Sequence, residues 1–250
     1  MIQESSKIWK NLFFQLIKSQ NLSSDIPAFN DFPKEMRMIN GEVKFKNLLY
    51  LFGCKSPFAK DAVNLFDEIT DKGGATYVSF YKAFPSNHKQ RSKQEIVERI
   101  EECFIHHSID QMELDDADKI LEYKLQFKIF QKTRSNPKGW NESVDVFNWE
   151  AMKCKEIAFE DFAVGDRCVL WYTCFKAPYG FSGTANKNLI FDQLHKLLFP
   201  VECIPSLHLY QFNGEELLKD IYDSGKEWWG VFCHVVYCPV RNFVMVFTST

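Results

Sequence analysis

The hydrophobic pattern of this 250-residue chain changes period partway along, and that change limits the fold more than any other feature. Up to about residue 108, apolar side chains recur at helical spacing. Beyond it they mostly alternate or run continuously, as strands do.

In the first part, Ile8, Trp9, Leu12, Phe13, Leu16 and Ile17 form one stripe of an amphipathic helix over about Ser5 to Ser19. Phe45, Leu48, Leu49 and Phe52 form a second stripe that stops at Gly53. Ser56 caps a third helix with Pro57 at its first position, where the missing N–H costs nothing. This helix turns Ala62, Val63, Phe66 and Ile69 inward and ends near Gly73-Gly74. A strand is predicted over Ala75 to Phe84, which is short and rich in β-formers. Ser92 and Glu95 then make a capping box in front of Ile96, Val97, Ile100, Cys103 and Phe104, which predicts a helix over 93–107.

In the second part, Tyr123, Leu125, Phe127 and Ile129 alternate with Lys124, Gln126 and Lys128, the pattern of a half-exposed strand. Cys168 to Phe175 is apolar on both faces and reads as a central strand. A helix carrying Leu189, Ile190, Leu194, Leu197 and Leu198 follows, and then a strand from Leu207 to Phe212. Asn213 and Glu216 mark a short helix, and two strands close the chain, Trp229 to Tyr237 and Phe243 to Phe247, joined through a hairpin loop over Cys238 to Asn242. Strands that follow one another with few helical crossovers predict an α+β fold with a mainly antiparallel sheet and packed helices. The helix-rich part is 1–108 and the antiparallel α+β part 109–250, either as two domains or as one continuous one.

Composition removes several function classes. The 30 basic and 33 acidic residues leave a net charge of −3, too balanced for a basic surface that holds nucleic acid or a polybasic membrane contact. No basic leader follows Met1 and no apolar run is long enough to span a bilayer, so neither a signal peptide nor a membrane helix is expected. The eight cysteines sit mostly in apolar runs, which points to reduced thiols, a cytoplasmic location and no disulfide framework.

Among chemical motifs the chain has no phosphate-binding glycine loop, no paired metal-ligand spacing and no nucleophile elbow. No cofactor or metal is expected. The Asp67 to Val78 segment is spaced like an EF-hand loop but puts Ile69, Lys72 and Val78 where calcium requires an oxygen ligand, a glycine and a bidentate glutamate. A thiol enzyme needs an imidazole beside a cysteine, and Cys174, Cys233, His208 and His234 all fall on expected strands. Cys233 and His234, being adjacent, point to opposite faces and cannot pair with each other. Catalysis is therefore left open, with a dispersed Cys/His hydrolase or transferase as the alternative reading.

Asp115, Asp116 and Asp118 lie in the densest acidic run, which suits a basic protein partner or simply a solvated helix start. Tyr179 and Phe181 on a loop, and Trp228 and Trp229 at a strand start, are candidate contact aromatics. The stretch Trp228-Trp229-Gly230-Val231-Phe232-Cys233-His234-Val235-Val236-Tyr237, its turn and Phe243 to Thr250 resemble the terminal hairpins of small bacterial immunity proteins. That resemblance implies occlusion of a toxin's active site, with Asp115, Asp116 and Asp118 meeting a basic face. A protein partner is thus expected, and nucleic acid and membrane are not.

Overall fold

The computed structural model describes residues 57–84, 91–111, 117–134, 147–165, 168–176, 186–217 and 230–249. Its elements are α1 (Pro57–Asp71), β1 (Tyr77–Lys82), α2 (Lys93–Gln111), α3 (Ala117–Thr133), β2 (Cys154–Ile157), α4 (Phe159–Ala163), α5 (Val169–Phe175), α6 (Lys187–Leu198), β3 (His208–Phe212), α7 (Gly214–Leu217), β4 (Phe232–Cys238) and β5 (Phe243–Ser249). The chain divides into two compact units, Met1–Leu51 with Asp115–Asp145 and Phe52–Leu114 with Val146–Thr250. In the first unit the described residues are α3 and Arg134. The helices expected over 5–19 and 45–52 lie outside the described residues.

The second unit is built on a five-stranded antiparallel sheet of order β1-β5-β4-β3-β2. The fold is α+β, as the sequence predicts. Strands β2 to β5 run in sequence as a meander, and β1 joins the far edge, pairing Phe80 with Met245. Period-2 alternation across this register gives the sheet two distinct faces. One presents Phe80, Met245, Val236 and Leu209, which join the core cluster with Phe66 of α1, Phe162 of α4, Cys174 of α5 and Leu194 of α6. The other presents Ser79, Val246, Val235 and Tyr210 and is packed by α2, whose Phe104 stacks on Phe212 at 4.3 Å between ring centroids. Both long central strands are buried along nearly their whole length because helices lie on each side.

Local signals place several of these elements. α1 begins at Pro57, and Gly73, at φ 96°, closes a Schellman end in which Gly73 N–H donates to Thr70 O and Gly74 N–H to Ile69 O. At the start of α2, Ser92 Oγ accepts from Glu95 N–H while the Glu95 carboxylate accepts from Ser92 N–H, completing the capping box. α2 buries more than the expected stripe, since Glu101, Ile105, Ser108 and Ile109, which are not part of it, are buried as well.

The Gly73-Gly74 stop has a second, tertiary reason. A Cβ on Gly74 would stand 2.4 Å from Ile69 Cγ2 and 2.7 Å from the Cys174 carbonyl oxygen. The next residue, Ala75, donates its N–H to Thr173 O at 3.3 Å, so α5 fixes this turn closely. Gly74→Ala is therefore expected to cost about 1–3 kcal/mol by overpacking. Urea unfolding checks it, and a neutral result would mean that α1 and α5 separate freely here.

Two elements differ from the sequence reading. Residues 123–129 are not a strand but part of α3, in which Tyr123, Phe127 and Phe130 are buried at helical spacing. Lys124 and Gln126, which an alternating strand would expose, are buried too. Of the residues that mimicked alternation, Lys124, Leu125, Gln126 and Lys128 are strong helix formers. Residues 168–175 form α5 instead of a central strand, with Cys168 Sγ accepting from Trp171 N–H at 3.4 Å as its N-cap. Leu170, Thr173 and Cys174 face inward while Tyr172 is exposed, an amphipathicity hidden inside a short, wholly apolar run.

Candidate functional site

The residues that sequence reasoning marked for partner contact fall largely outside the described part. Asp115, Asp116, Tyr179, Phe181, Trp228 and Trp229 lie outside it, and Asp118 is placed only as a backbone position in α3.

The residues considered for thiol chemistry are described, and each has its own surroundings. Cys174 lies on α5, not on a strand, and its Sγ is 3.6 Å from Thr76 Oγ1. His234 rests on the Phe162 ring, with centroids 5.2 Å apart. Cys233, register-opposite Thr248, points to the other face of the sheet, as expected from its adjacency to His234. His208 stacks on Tyr237 at 5.9 Å and turns Nδ1 toward Glu156 Oε1 at 3.6 Å.

Burial also sets the charge states of these groups. It pushes the Cys103 and Cys174 thiols up to about 12 and Cys238 to about 11. The same desolvation lowers His107 to about 3 and His234 to about 4. At neutral pH these three cysteines are thiols and these two histidines are uncharged, the opposite of an activated thiolate-imidazolium pair. Among the described cysteines only Cys154, on edge strand β2, is partly exposed. In native protein at neutral pH, Cys154 is expected to be alkylated well before Cys103, Cys168, Cys174, Cys203, Cys233 and Cys238, which should react only on unfolding. Mass spectrometry of a timed iodoacetamide series reads this directly; rapid labelling of any of those six would revive the thiol-enzyme reading.

The described residues do assemble one partly exposed polar cluster that the sequence did not signal. Lys93, at the first turn of α2, donates Nζ–H to Glu156 Oε2 at 2.8 Å. That hydrogen bond raises the Lys93 ammonium and holds the Glu156 carboxyl below its ordinary value. Register puts Tyr210 opposite Glu156, and burial followed by the Glu156 charge and Cys154 pushes its phenol up to about 12. Beside His208 the contacts continue through the buried Tyr237 to Phe84, with ring centroids 5.9 Å apart, and to the Arg91 guanidinium 4.5 Å above the Phe84 ring. This cluster joins β2, β3, β4, the start of α2 and the residues before it, groups as much as 153 residues apart (84 to 237), so no local motif could announce it. Among the described residues no group of three His, Cys, Asp or Glu side chains could hold a metal ion.

No helix among the described residues is long and apolar enough to cross a membrane. No protein-family model matches the chain, and no curated protein matches it. Among solved structures, the crystal structure of citrus MAF1 in space group C 2 2 21 aligns with 74% of this chain and 96% of its own, at 13% sequence identity and a TM-score of 0.29.

Proposed function

We propose that this chain is a protein-binding inhibitor that acts by occupying a partner and performs no catalysis of its own. The observation that carries the reading is the state of the described thiols: the Cys103, Cys174 and Cys238 sulfurs are buried and protonated, and Cys174 lies against a threonine instead of an imidazole. A nucleophile of that kind would need an exposed, electropositive setting. The free thiols suit a reducing compartment such as the cytoplasm.

The proposed contact surface is acidic and aromatic. Asp115, Asp116 and Asp118 supply the charge that steers a basic partner, and Tyr179, Phe181, Trp228 and Trp229 supply apolar anchors of the kind interfaces concentrate. An immunity-like role, occluding a toxin, is the specific form of this reading.

A tagged pull-down from the native cell, repeated at raised salt, tests it. A stoichiometric protein partner is expected in the wild-type eluate, lost in the triple variant D115K/D116K/D118K and weakened by salt. Retention of that partner by the triple variant would remove the acidic run from the interface. Recovery of no partner would overturn the reading.

A further inference from the structure

His107 is fully buried between α2 and the sheet, and both of its ring nitrogens are engaged. Nδ1 lies 2.8 Å from Ser79 Oγ on β1, and Nε2 lies 2.7 Å from Thr248 Oγ1 on β5. Register makes Ser79 and Thr248 diagonal neighbours on one face of the β1–β5 pair, so the imidazole bridges two strands from the last turns of one helix. A neutral ring suits this: one nitrogen donates to a hydroxyl and the other accepts from the second hydroxyl. A protonated ring must donate from both, so the hydroxyl that had been donating must turn and find another acceptor inside a buried interface.

We propose that the Ser79–His107–Thr248 bridge is an acid-sensitive latch that holds the C-terminal half of α2 on the sheet and releases it when the imidazole takes up a proton. Among the described residues, the groups that share the sheet face or the helix face with the ring offer no compensating charge. On the same sheet face β1 carries Tyr77, Ser79 and Tyr81, β5 carries Thr248, and β4 carries Cys233 opposite Thr248. One turn back along α2 lies Cys103. Burial is accordingly the sole influence that displaces the ring from its ordinary value.

The sign follows from linkage. A histidine whose folded value is depressed binds protons more readily when released, so the latch is at full strength above the unfolded value and weakens as pH falls through it. Between pH 7.4 and 5.0, the opening equilibrium of this contact is expected to rise about thirtyfold, given an unfolded value near 6.5 and a folded value near 3.

Hydrogen exchange of the full chain, read by mass spectrometry and corrected for intrinsic rates, tests the latch. Amides of 104–111 and of β1 around Ser79 are expected to gain about thirtyfold more opening at pH 5.0 than at pH 7.4. His107→Gln, a neutral side chain with a donor and an acceptor, should remove that dependence. It should leave intact any acid response of His234, which faces α4 on the other side of the sheet. Opening of 104–111 that does not change with pH, or that changes equally in His107→Gln, would overturn the proposal. Should that variant not fold, NMR titration of the wild-type imidazole decides: a His107 ring that protonates near its ordinary value while α2 stays protected would also sink it.

Discussion

Phe247→Ala is expected to lower the free energy of unfolding by about 3–5 kcal/mol, the range for truncating a buried phenylalanine. Phe247 is 3% exposed, on the second strand from the sheet edge, and it is where two helices meet the sheet. Its ring lies 5.9 Å from Phe66 of α1 and 5.2 Å from Phe162 of α4, and its register partners are Val78 on β1 and His234 on β4. Removing it opens a cavity that two helices and a sheet cannot all collapse to fill. Against a total stability of about 5–15 kcal/mol, the loss leaves the variant largely unfolded on modest warming. Phe247→Leu should cost less than about half as much, since it retains most of the volume. Urea titration of both variants measures the difference. A loss under about 1 kcal/mol for Phe247→Ala would mean that the core is centred elsewhere.

Asn242→Ala is expected to cost about 2–4 kcal/mol, from two broken hydrogen bonds and a strained backbone. Asn242 ends the Pro239–Asn242 turn between β4 and β5 at φ 52°. Its Oδ1 accepts from Phe84 N–H at 3.1 Å and its Nδ2 donates to Phe84 O at 2.7 Å. With Ala83 N–H donating to Asn242 O at 2.9 Å, the side chain extends the β1–β5 ladder one step beyond the last register pair. Alanine loses both side-chain bonds and fits the left-handed region poorly. Asn242→Gly isolates the two causes, because glycine accepts the backbone conformation but supplies no clamp. Its cost should fall below that of alanine by about 1 kcal/mol. Equal stability of the alanine variant and wild type would show that the β4–β5 turn does not anchor β1.

Much of this architecture was legible because its signals are local. The start of α1 at Pro57, its glycine stop, the Ser92–Glu95 capping box and the β4–β5 hairpin depend on residues within a few positions of one another. Those interactions form whatever the rest of the chain does, so sequence spacing suffices to find them. The misread segments show where spacing stops deciding. Residues 168–175 offered no polar face to betray a period, and 123–129 satisfied two periods at once. The short β2 and α4, five residues or fewer each, gave too few positions for any period to register.

Of the chemistry, composition and adjacency settled part: Cys233 and His234 had to diverge, because neighbouring residues on a strand point to opposite faces. The sequence by itself thus determined an α+β chain with an antiparallel C-terminal hairpin, capped helices and no local catalytic motif. Only the tertiary structure decided that β1 pairs with β5, that Lys93, Glu156 and His208 meet at one edge of the sheet, and that His107 bridges Ser79 to Thr248. Those groups are brought together by strand register and helix packing over separations of up to 171 residues, as from Tyr77 to Thr248. Long-range packing minimises exposed apolar surface over the whole chain at once, and no window of sequence contains that balance.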